Sequence, residues 1–207
     1  LDAYPVFGRF LGIVWSFWLG QSIEMLERIN RDREVLLHKF GVPTEVSIHR
    51  IQQGLSDPHR AGRVVSIITF VTAESTLRIV YKPKDLGVDK AYQEALEDLN
   101  HQGVLPPLKT IAIHCGDGYG YVEHVPHVFC KTREDLDRFY FNAGRLTAVL
   151  HVLGCTDCYY ENLIANCDHL VLIDTETLLE DDLRDHVDEA TAEIDTSPIS
   201  KLRRRCL

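Results

Sequence analysis

Residues 77–82 of the chain are Leu-Arg-Ile-Val-Tyr-Lys, an apolar stretch that ends in Lys82 and is followed by Pro83. The stretch predicts a β-strand, because most of its residues are apolar or β-branched and a proline bounds it. A lysine at the end of a buried strand can direct its ammonium group at phosphates. An isolated lysine on an edge strand more commonly points into water, so the interpretation depends on other residues.

Helix and strand signals alternate around this strand. Residues 6–40 predict one or two helices, which the turn at 41–43 ends. The other predicted elements are strands at 46–51 and 64–71 joined by a turn at 54–62, a helix at 88–101, strands at 111–114 and 121–125, a helix at 133–153, a loop at 154–162 and a strand at 170–173. A β-rich part followed by a helical part predicts the α+β class, with a cleft between the two.

Two predicted helices carry expectations about burial. The stretch from Phe10 to Leu19 is the most apolar in the chain but is too short to span a bilayer, so we expect a buried helix. The helix at 88–101 places Ala91, Ala95 and Leu99 on one stripe, which we expect to face the core.

The composition limits the class of protein. The chain has 207 residues and a formal net charge of -9, which makes it a poor candidate for binding nucleic acid. No signal peptide precedes its six cysteines, which favours a reducing, cytoplasmic setting. We expect neither a nucleic-acid partner nor a membrane span.

The turn at 54–62 is the first of four features that fit phosphoryl transfer. Its glycines let backbone N–H groups approach an anion without Cβ clashes. Asp57, His59 and Arg63 flank the tip of the turn. Most turns of this composition are only turns, so the feature is weak by itself.

Lys82 is the second feature, and a lysine in this role usually needs a carboxylate on the following helix. Glu94 and Glu97 are both placed to serve, and the sequence does not choose between them.

Two polar positions in the second half complete the set. Asp157 and Asn162 are separated by four residues, the spacing of a kinase catalytic loop in which the Asp accepts a hydroxyl proton and the Asn binds a metal ion. Asp174 follows an apolar strand, where a second ligand for Mg²⁺ is expected. A helix cap at Asp157 and a turn at Asp174 are the simpler alternatives, but all four features occur in the order that phosphoryl transfer requires.

Cys155 and Cys158 form a C-x-x-C pair inside the same loop, with Cys167 nearby. Such a pair can bind zinc or act in redox chemistry. No second pair follows at a ligand spacing, so phosphoryl transfer remains the favoured interpretation of the loop.

Five ordered motifs resemble those of the dehydration domains of class II lanthipeptide synthetases. They are DPHRAGR at 57–63, VYKPK at 80–84, GYVE at 120–123, TDCYYEN at 156–162 and LIDTETL at 172–178. The resemblance implies a bilobal, lipid-kinase-like core, truncated here. Such a core phosphorylates Ser and Thr of a precursor peptide with ATP and Mg²⁺, and then eliminates the phosphate to give dehydroalanine and dehydrobutyrine.

The resemblance also implies a division of the chain and its partners. Residues 1–43 would form a helical segment, 44–125 a β-rich N-lobe with the nucleotide-binding hairpin and the lysine strand, and 126–207 a partial helical C-lobe with the catalytic loop. The expected partners are a precursor peptide with a leader and a Ser/Thr/Cys-rich core, and a C-terminal zinc cyclase domain of the same polypeptide, absent from this chain.

Individual residues receive roles from the same resemblance. The catalytic positions would be Asp157, Tyr159, Glu176, Asp57 and His59, the last three without a fixed role. The nucleotide-binding positions would be Lys82, Gly62, Arg63, Glu97 and Glu123, the last within a hinge at 120–125 under the adenine. The Mg²⁺ ligands would be Asn162 and Asp174.

The chain departs from the family at Tyr159, where the family usually has a histidine. A phenol can donate a hydrogen bond, but it is neutral near pH 7 and cannot match the stabilisation that a cation gives. We therefore expect slow transfer or impaired elimination. The alternatives are a pseudokinase-like module that binds without turnover, and a kinase for a small molecule or lipid.

Overall fold

The computed structural model describes residues 4–58, 62–72, 75–103 and 107–179. The helices within these ranges are α1 (Pro5–Arg31), α2 (Arg33–Phe40), α3 (Gly87–His101) and α4 (Arg133–Val152). The strands are β1 (Ile48–Gln52), β2 (Ser66–Val71), β3 (Thr76–Lys82), β4 (Ile113–Gly116), β5 (Tyr119–Glu123), β6 (Leu163–Asn166) and β7 (His169–Leu172). The predicted α+β class is confirmed. None of the helices within these ranges is long and apolar enough to cross a membrane.

Five strands form one antiparallel sheet in the order β1-β2-β3-β5-β4, and β6 pairs with β7 in a separate hairpin. The pairing of β3 with β5 places Lys82 opposite Gly120, and Ile79 opposite Glu123. Strand β6 was not predicted. It has four residues, and the turn after it contains Cys167 at a φ of 53° instead of the glycine or asparagine that marks most tight hairpins.

The two faces of the sheet bury different side chains, because successive residues of a strand point to opposite sides. On one face, Ile79 and Tyr81 of β3 pack with Met25 of α1 in the largest hydrophobic cluster. On the other face, Val80 packs in a cluster with residues of β4 and β7. Lys82 shares this second face, which is the side of the sheet on which β7 lies.

A single residue, Asp32, separates α1 from α2 and ties both helices to the sheet. Its carboxylate accepts hydrogen bonds from the hydroxyl of Tyr119 at 2.5 Å and from that of Tyr121 at 3.0 Å. Arg31 donates to the same Tyr119 hydroxyl at 2.6 Å. Helix α2 ends at the predicted turn, where Gly41 takes the left-handed conformation at a φ of 70°.

The outer half of α1, residues 5–20, corrects one prediction. We expected Phe10 to Leu19 to be buried, but residues 5–20 contain no buried side chain, and Trp15 is 63% exposed. The first buried residue of helix α1 is Gln21. Apolar composition identified the helix correctly but could not show which part of it the rest of the chain covers.

Helix α3 is present close to its predicted bounds but buries a different face. Ala91, Ala95 and Leu99 lie on the exposed side, and the buried residues are Asp89, Tyr92, Gln93 and Leu96. The prediction was wrong because two of the buried residues are polar. Both polar side chains have partners in the core: Asp89 contacts Lys82, and Gln93 accepts the backbone N–H of Ile111 at 2.9 Å.

Candidate active site

The β6–β7 hairpin brings two polar loops to the same place. Antiparallel pairing sets Leu163 opposite Leu172, so the loop before β6 and the loop after β7 leave the hairpin at one end. The backbone N–H of Ile173 donates to the carbonyl of Asn162 at 2.9 Å. The backbone N–H of Asp157 donates to the hydroxyl of Thr177 at 3.1 Å. Two of the sequence-predicted regions, the Asp157–Asn162 loop and the Asp174 region, are therefore adjacent.

Within the first loop, Asn162 holds Asp157. The Asn162 amide nitrogen donates to Asp157 Oδ2 at 2.8 Å and to the Asp157 carbonyl oxygen at 3.1 Å. These bonds use the nitrogen of the amide and set the orientation of the Asp157 carboxylate. The amide oxygen is the atom of Asn162 that has the chemistry to bind a hard cation.

Lys82 joins the sheet to these loops. Its ammonium donates to Asp89 Oδ1 at 3.1 Å and to the carbonyl oxygen of Ile173 at 2.7 Å. Only 8% of the Lys82 side chain and 7% of the Asp89 side chain are exposed. A lysine buried this deeply requires such partners, because an unpaired buried charge is strongly destabilising. Lys82, Asn162 and Asp174 thus lie around one backbone segment.

The carboxylate partner of Lys82 is neither of the two candidates from the sequence. Glu94 and Glu97 are both exposed, and Glu94 pairs with Lys90 on the helix surface at 3.4 Å. Asp89 takes the position because it lies in the first turn of α3, which is the turn closest to the end of β3. The sequence predicted the right helix but the wrong turn of it.

Lys84 is a second cation of the site, and the sequence analysis missed it. Its ammonium lies 3.1 Å from Asp174 Oδ1 and also contacts the carboxylate of Glu176. Burial lowers the pKa of Lys84, but the hydrogen bond to Glu176 and the charge of Asp174 outweigh it, so the pKa lies above its ordinary value. The spacing Lys82-Pro83-Lys84, which puts two lysines on the same side of an extended chain, could have indicated it.

Two residues at the end of the predicted glycine turn, Gly62 and Arg63, contact α1. Gly62 has a φ of 84°, and a Cβ added to it would lie 2.9 Å from the Cβ of Phe17. Arg63 donates to both carboxylate oxygens of Glu24, at 2.9 and 3.0 Å, and this pair lowers the pKa of Glu24. Gly62 and Arg63, predicted beside the nucleotide, are thus placed against α1. Asp57 is exposed, and His59 lies outside the described residues.

Glu123 ends β5 at a distance from Lys82. Its carboxylate accepts the backbone N–H of Ala112 at 3.0 Å and so closes the end of the β4–β5 pair. Because Glu123 lies opposite Ile79, it is three residues along the ladder from the level of Lys82, or roughly 10 Å. A cleft of about 570 Å³ opens beside Glu123 and His124. The hinge predicted at 120–125 stays a prediction.

Tyr159 lies on the outside of the loop from Asp157 to Asn162. Its side chain is 67% exposed, and its carbonyl oxygen accepts the backbone N–H of Asn162 at 3.0 Å. The residue thus helps to shape the loop through its backbone while its phenol faces solvent.

The two cysteines of the loop lie on either side of Asp157 in the sequence and contact each other. The thiol of Cys158 donates to the sulfur of Cys155 at 3.0 Å. Burial and this hydrogen bond raise the pKa of Cys158 to about 12. Within the described ranges, no group of three or more His, Cys, Asp or Glu side chains is arranged to hold a metal ion.

The donor set fits a nucleotide with a magnesium ion. Mg²⁺ in phosphotransfer sites is commonly held by one or two carboxylates, with phosphates and waters completing its six ligands. For such a complex, Asp174 would offer a carboxylate and Asn162 an amide oxygen, and the ammonium groups of Lys82 and Lys84 would be the nearby positive charges. Such a set does not require three protein ligands around one point.

Comparisons with known proteins found a family model and a relative that each match most of the chain. A family model described as domain of unknown function (DUF4135) matches residues 4–202. The chain is also 26% identical over 185 residues to the lacticin 481/lactococcin biosynthesis protein LcnDR2 of Lactococcus lactis subsp. lactis, covering 86% of this chain and 19% of that protein. The chain thus spans about a fifth of that relative's length. Since the family model covers nearly all of its residues, the chain belongs to the DUF4135 family.

Proposed function

We propose that the chain forms the phosphotransfer part of an enzyme of lanthipeptide biosynthesis, with a bilobal, kinase-like core. The observation that carries the proposal is the hydrogen bond from Lys82 to the Ile173 carbonyl, next to Asp174 and to Asn162. This bond unites three of the four features that the sequence suggested for phosphoryl transfer. The similarity to a lacticin 481 biosynthesis protein supports the pathway.

The first reaction would transfer the γ-phosphoryl group of ATP to a Ser or Thr hydroxyl. Asp157 accepts the hydroxyl proton while the oxygen attacks phosphorus and the bond to ADP breaks. Lys82 neutralises phosphate charge from a fixed position, because Asp89 and the Ile173 carbonyl hold its ammonium. Asn162 and Asp174 would hold Mg²⁺, which when bound neutralises charge on the transferring phosphate. The family resemblance gives Glu176, Asp57 and His59 positions near the phosphates, without a fixed role.

The second reaction would remove the phosphate. Loss of the Cα proton and of the phosphate from phosphoserine or phosphothreonine leaves dehydroalanine or dehydrobutyrine. The substrate would be a precursor peptide with a leader and a Ser/Thr/Cys-rich core, in the cytoplasm. The relative is about five times longer than the matched region. We therefore propose the residues for elimination and the cyclase domain only for a longer polypeptide that contains this chain.

A pseudokinase-like binding module is the second candidate, and the placement of Tyr159 favours it. The phenol is 67% exposed and carries no positive charge, so it offers a transferring phosphate less than a cation would.

Intact mass spectrometry of a precursor peptide, incubated with the full-length protein, ATP and Mg²⁺, tests the proposal. We expect losses of water, abolished by Asp157→Asn and unaffected by the matched change Asp98→Asn on the exposed side of α3. Added phosphate without loss of water would show transfer without elimination. An unchanged peptide mass, with Tyr159→His also silent, would rule out the enzyme and leave the binding module.

A further inference from the structure

The Lys84 ammonium contacts a carboxylate oxygen of Asp174, the residue that would hold the metal ion of the proposed site. Its ammonium is 3.1 Å from Asp174 Oδ1 and contacts Glu176 on its other side. The side chain of Lys84 is 28% exposed, against 38% for Asp174 and 62% for Glu176, so solvent ions reach the carboxylates more easily than the ammonium. A single lysine thus contacts both acidic side chains in the described part of the loop after β7, residues 173–179.

Lys82 cannot take over this task. Its ammonium is already bound to Asp89 and to the Ile173 carbonyl, in a nearly closed pocket. The two lysines have different partners. Pro83 lies between them in the sequence, and each ammonium contacts a different carboxylate. Lys82 is fixed in place, whereas Lys84 has a path to solvent.

We propose that Lys84 is a counter-ion that competes with divalent cations for Asp174 and Glu176, so that the metal binds well only together with nucleotide phosphates. Phosphate oxygens would draw the Lys84 ammonium away from the carboxylates, which frees Asp174 to bind the cation. Binding of the nucleotide or of the metal would thus raise the affinity for the other ligand, and thermodynamic linkage requires that this coupling is reciprocal. Lys84 acts here as a positioning residue. The inference rests on the proposed nucleotide and metal site.

The same geometry predicts the effect of removing the ammonium. Lys84→Met leaves two carboxylates close together without a counter-ion, which favours a divalent cation even when no nucleotide is present. We expect the variant to bind Mn²⁺ alone about 10-fold more tightly, a factor that corresponds to about 1.4 kcal/mol. Its gain in Mn²⁺ affinity on adding nucleotide should be smaller than that of the unaltered protein. Lys84→Arg retains the charge and should behave like the unaltered protein.

Mn²⁺ titration of the full-length protein, followed by the electron paramagnetic resonance signal of free Mn²⁺, measures this directly. Each titration is made with and without a non-hydrolysable ATP analogue. Asp174→Asn identifies the binding component that belongs to this site. Lys90→Met removes a lysine from a surface ion pair with Glu94 and is the matched control, for which no change is expected. Circular dichroism verifies that each variant is folded.

The outcomes separate this inference from the proposed function. Tighter binding of Mn²⁺ alone by Lys84→Met, with Lys90→Met and Lys84→Arg unchanged, supports the counter-ion. If the unaltered protein binds Mn²⁺ with the ATP analogue but Lys84→Met binds Mn²⁺ alone no more tightly, the counter-ion is refuted and the site stands. If neither protein binds Mn²⁺ under any condition, both proposals fail.

Discussion

Removal of the Asp89 carboxylate tests how Lys82 is held. The two side chains are 7% and 8% exposed, and the distance from Nζ to Oδ1 is 3.1 Å. Loss of one member of a buried ion pair leaves the other charge desolvated and unpaired, which costs about 3–5 kcal/mol. Asp89→Asn keeps the shape and an acceptor oxygen, so we expect destabilisation of about 3 kcal/mol. Lys82→Met also frees the Ile173 carbonyl, so its cost should reach about 5 kcal/mol.

Urea unfolding followed by far-ultraviolet circular dichroism gives these free energies of unfolding. Glu94→Gln and Glu97→Gln, on the exposed side of the same helix, are matched controls and should change stability by less than about 0.5 kcal/mol. The double variant Lys82→Met/Asp89→Leu should regain most of the loss, because an apolar pair carries no desolvation penalty. The assigned partner is wrong if Asp89→Asn costs less than about 1 kcal/mol while Glu94→Gln or Glu97→Gln costs more.

Three further predictions concern other parts of the chain. Gly62→Ala should lower the free energy of unfolding in urea by about 2 kcal/mol, because an alanine is strained at a φ of 84° and its Cβ would meet Phe17. Gly144→Ala is the control: this glycine has open space around it in α4, so the alanine should stabilise the protein slightly. Because its pKa is raised to about 12, the Cys158 thiol should react slowly with iodoacetamide at pH 7.5, and its reaction rate should rise about tenfold per pH unit above that. The raised pKa also contributes to the stability of the folded protein at low pH. This contribution is lost as the pH rises from 9 toward 12. Trp15→Lys should reduce concentration-dependent self-association in analytical ultracentrifugation, since it interrupts the apolar surface of the outer half of α1; equal association of both proteins would contradict this.

The strand and loop that carry the site could be predicted from the sequence because their signals are local. Lys82 stands between an apolar strand and a proline, and Asp174 directly follows an apolar strand. Asp157 and Asn162 are likewise close to each other in the sequence, and a hydrogen bond of 2.8 Å joins their side chains in the structure.

The partners of these residues could not be predicted, because they are set by packing between distant elements. Asp89 looks like an ordinary acidic residue at the start of a helix, and only the approach of β3 to α3 buries it beside Lys82. The same holds for Gly62, since its approach to Phe17 depends on how α1 packs against the turn. The buried face of α3 was also predicted wrongly, because two of its buried residues, Asp89 and Gln93, are polar.

The exposed outer half of α1 determines what intrinsic fluorescence can report. The chain has two tryptophans, Trp15 and Trp18, and both lie on this half with their rings 5.1 Å apart. They are 63% and 45% exposed, so their emission should resemble that of indole in water. A surface that covers the outer half of α1 will shift the emission to shorter wavelength. Tryptophan emission is thus a probe of the outer half of α1 and of Gln53, to which Trp18 donates a hydrogen bond of 2.8 Å.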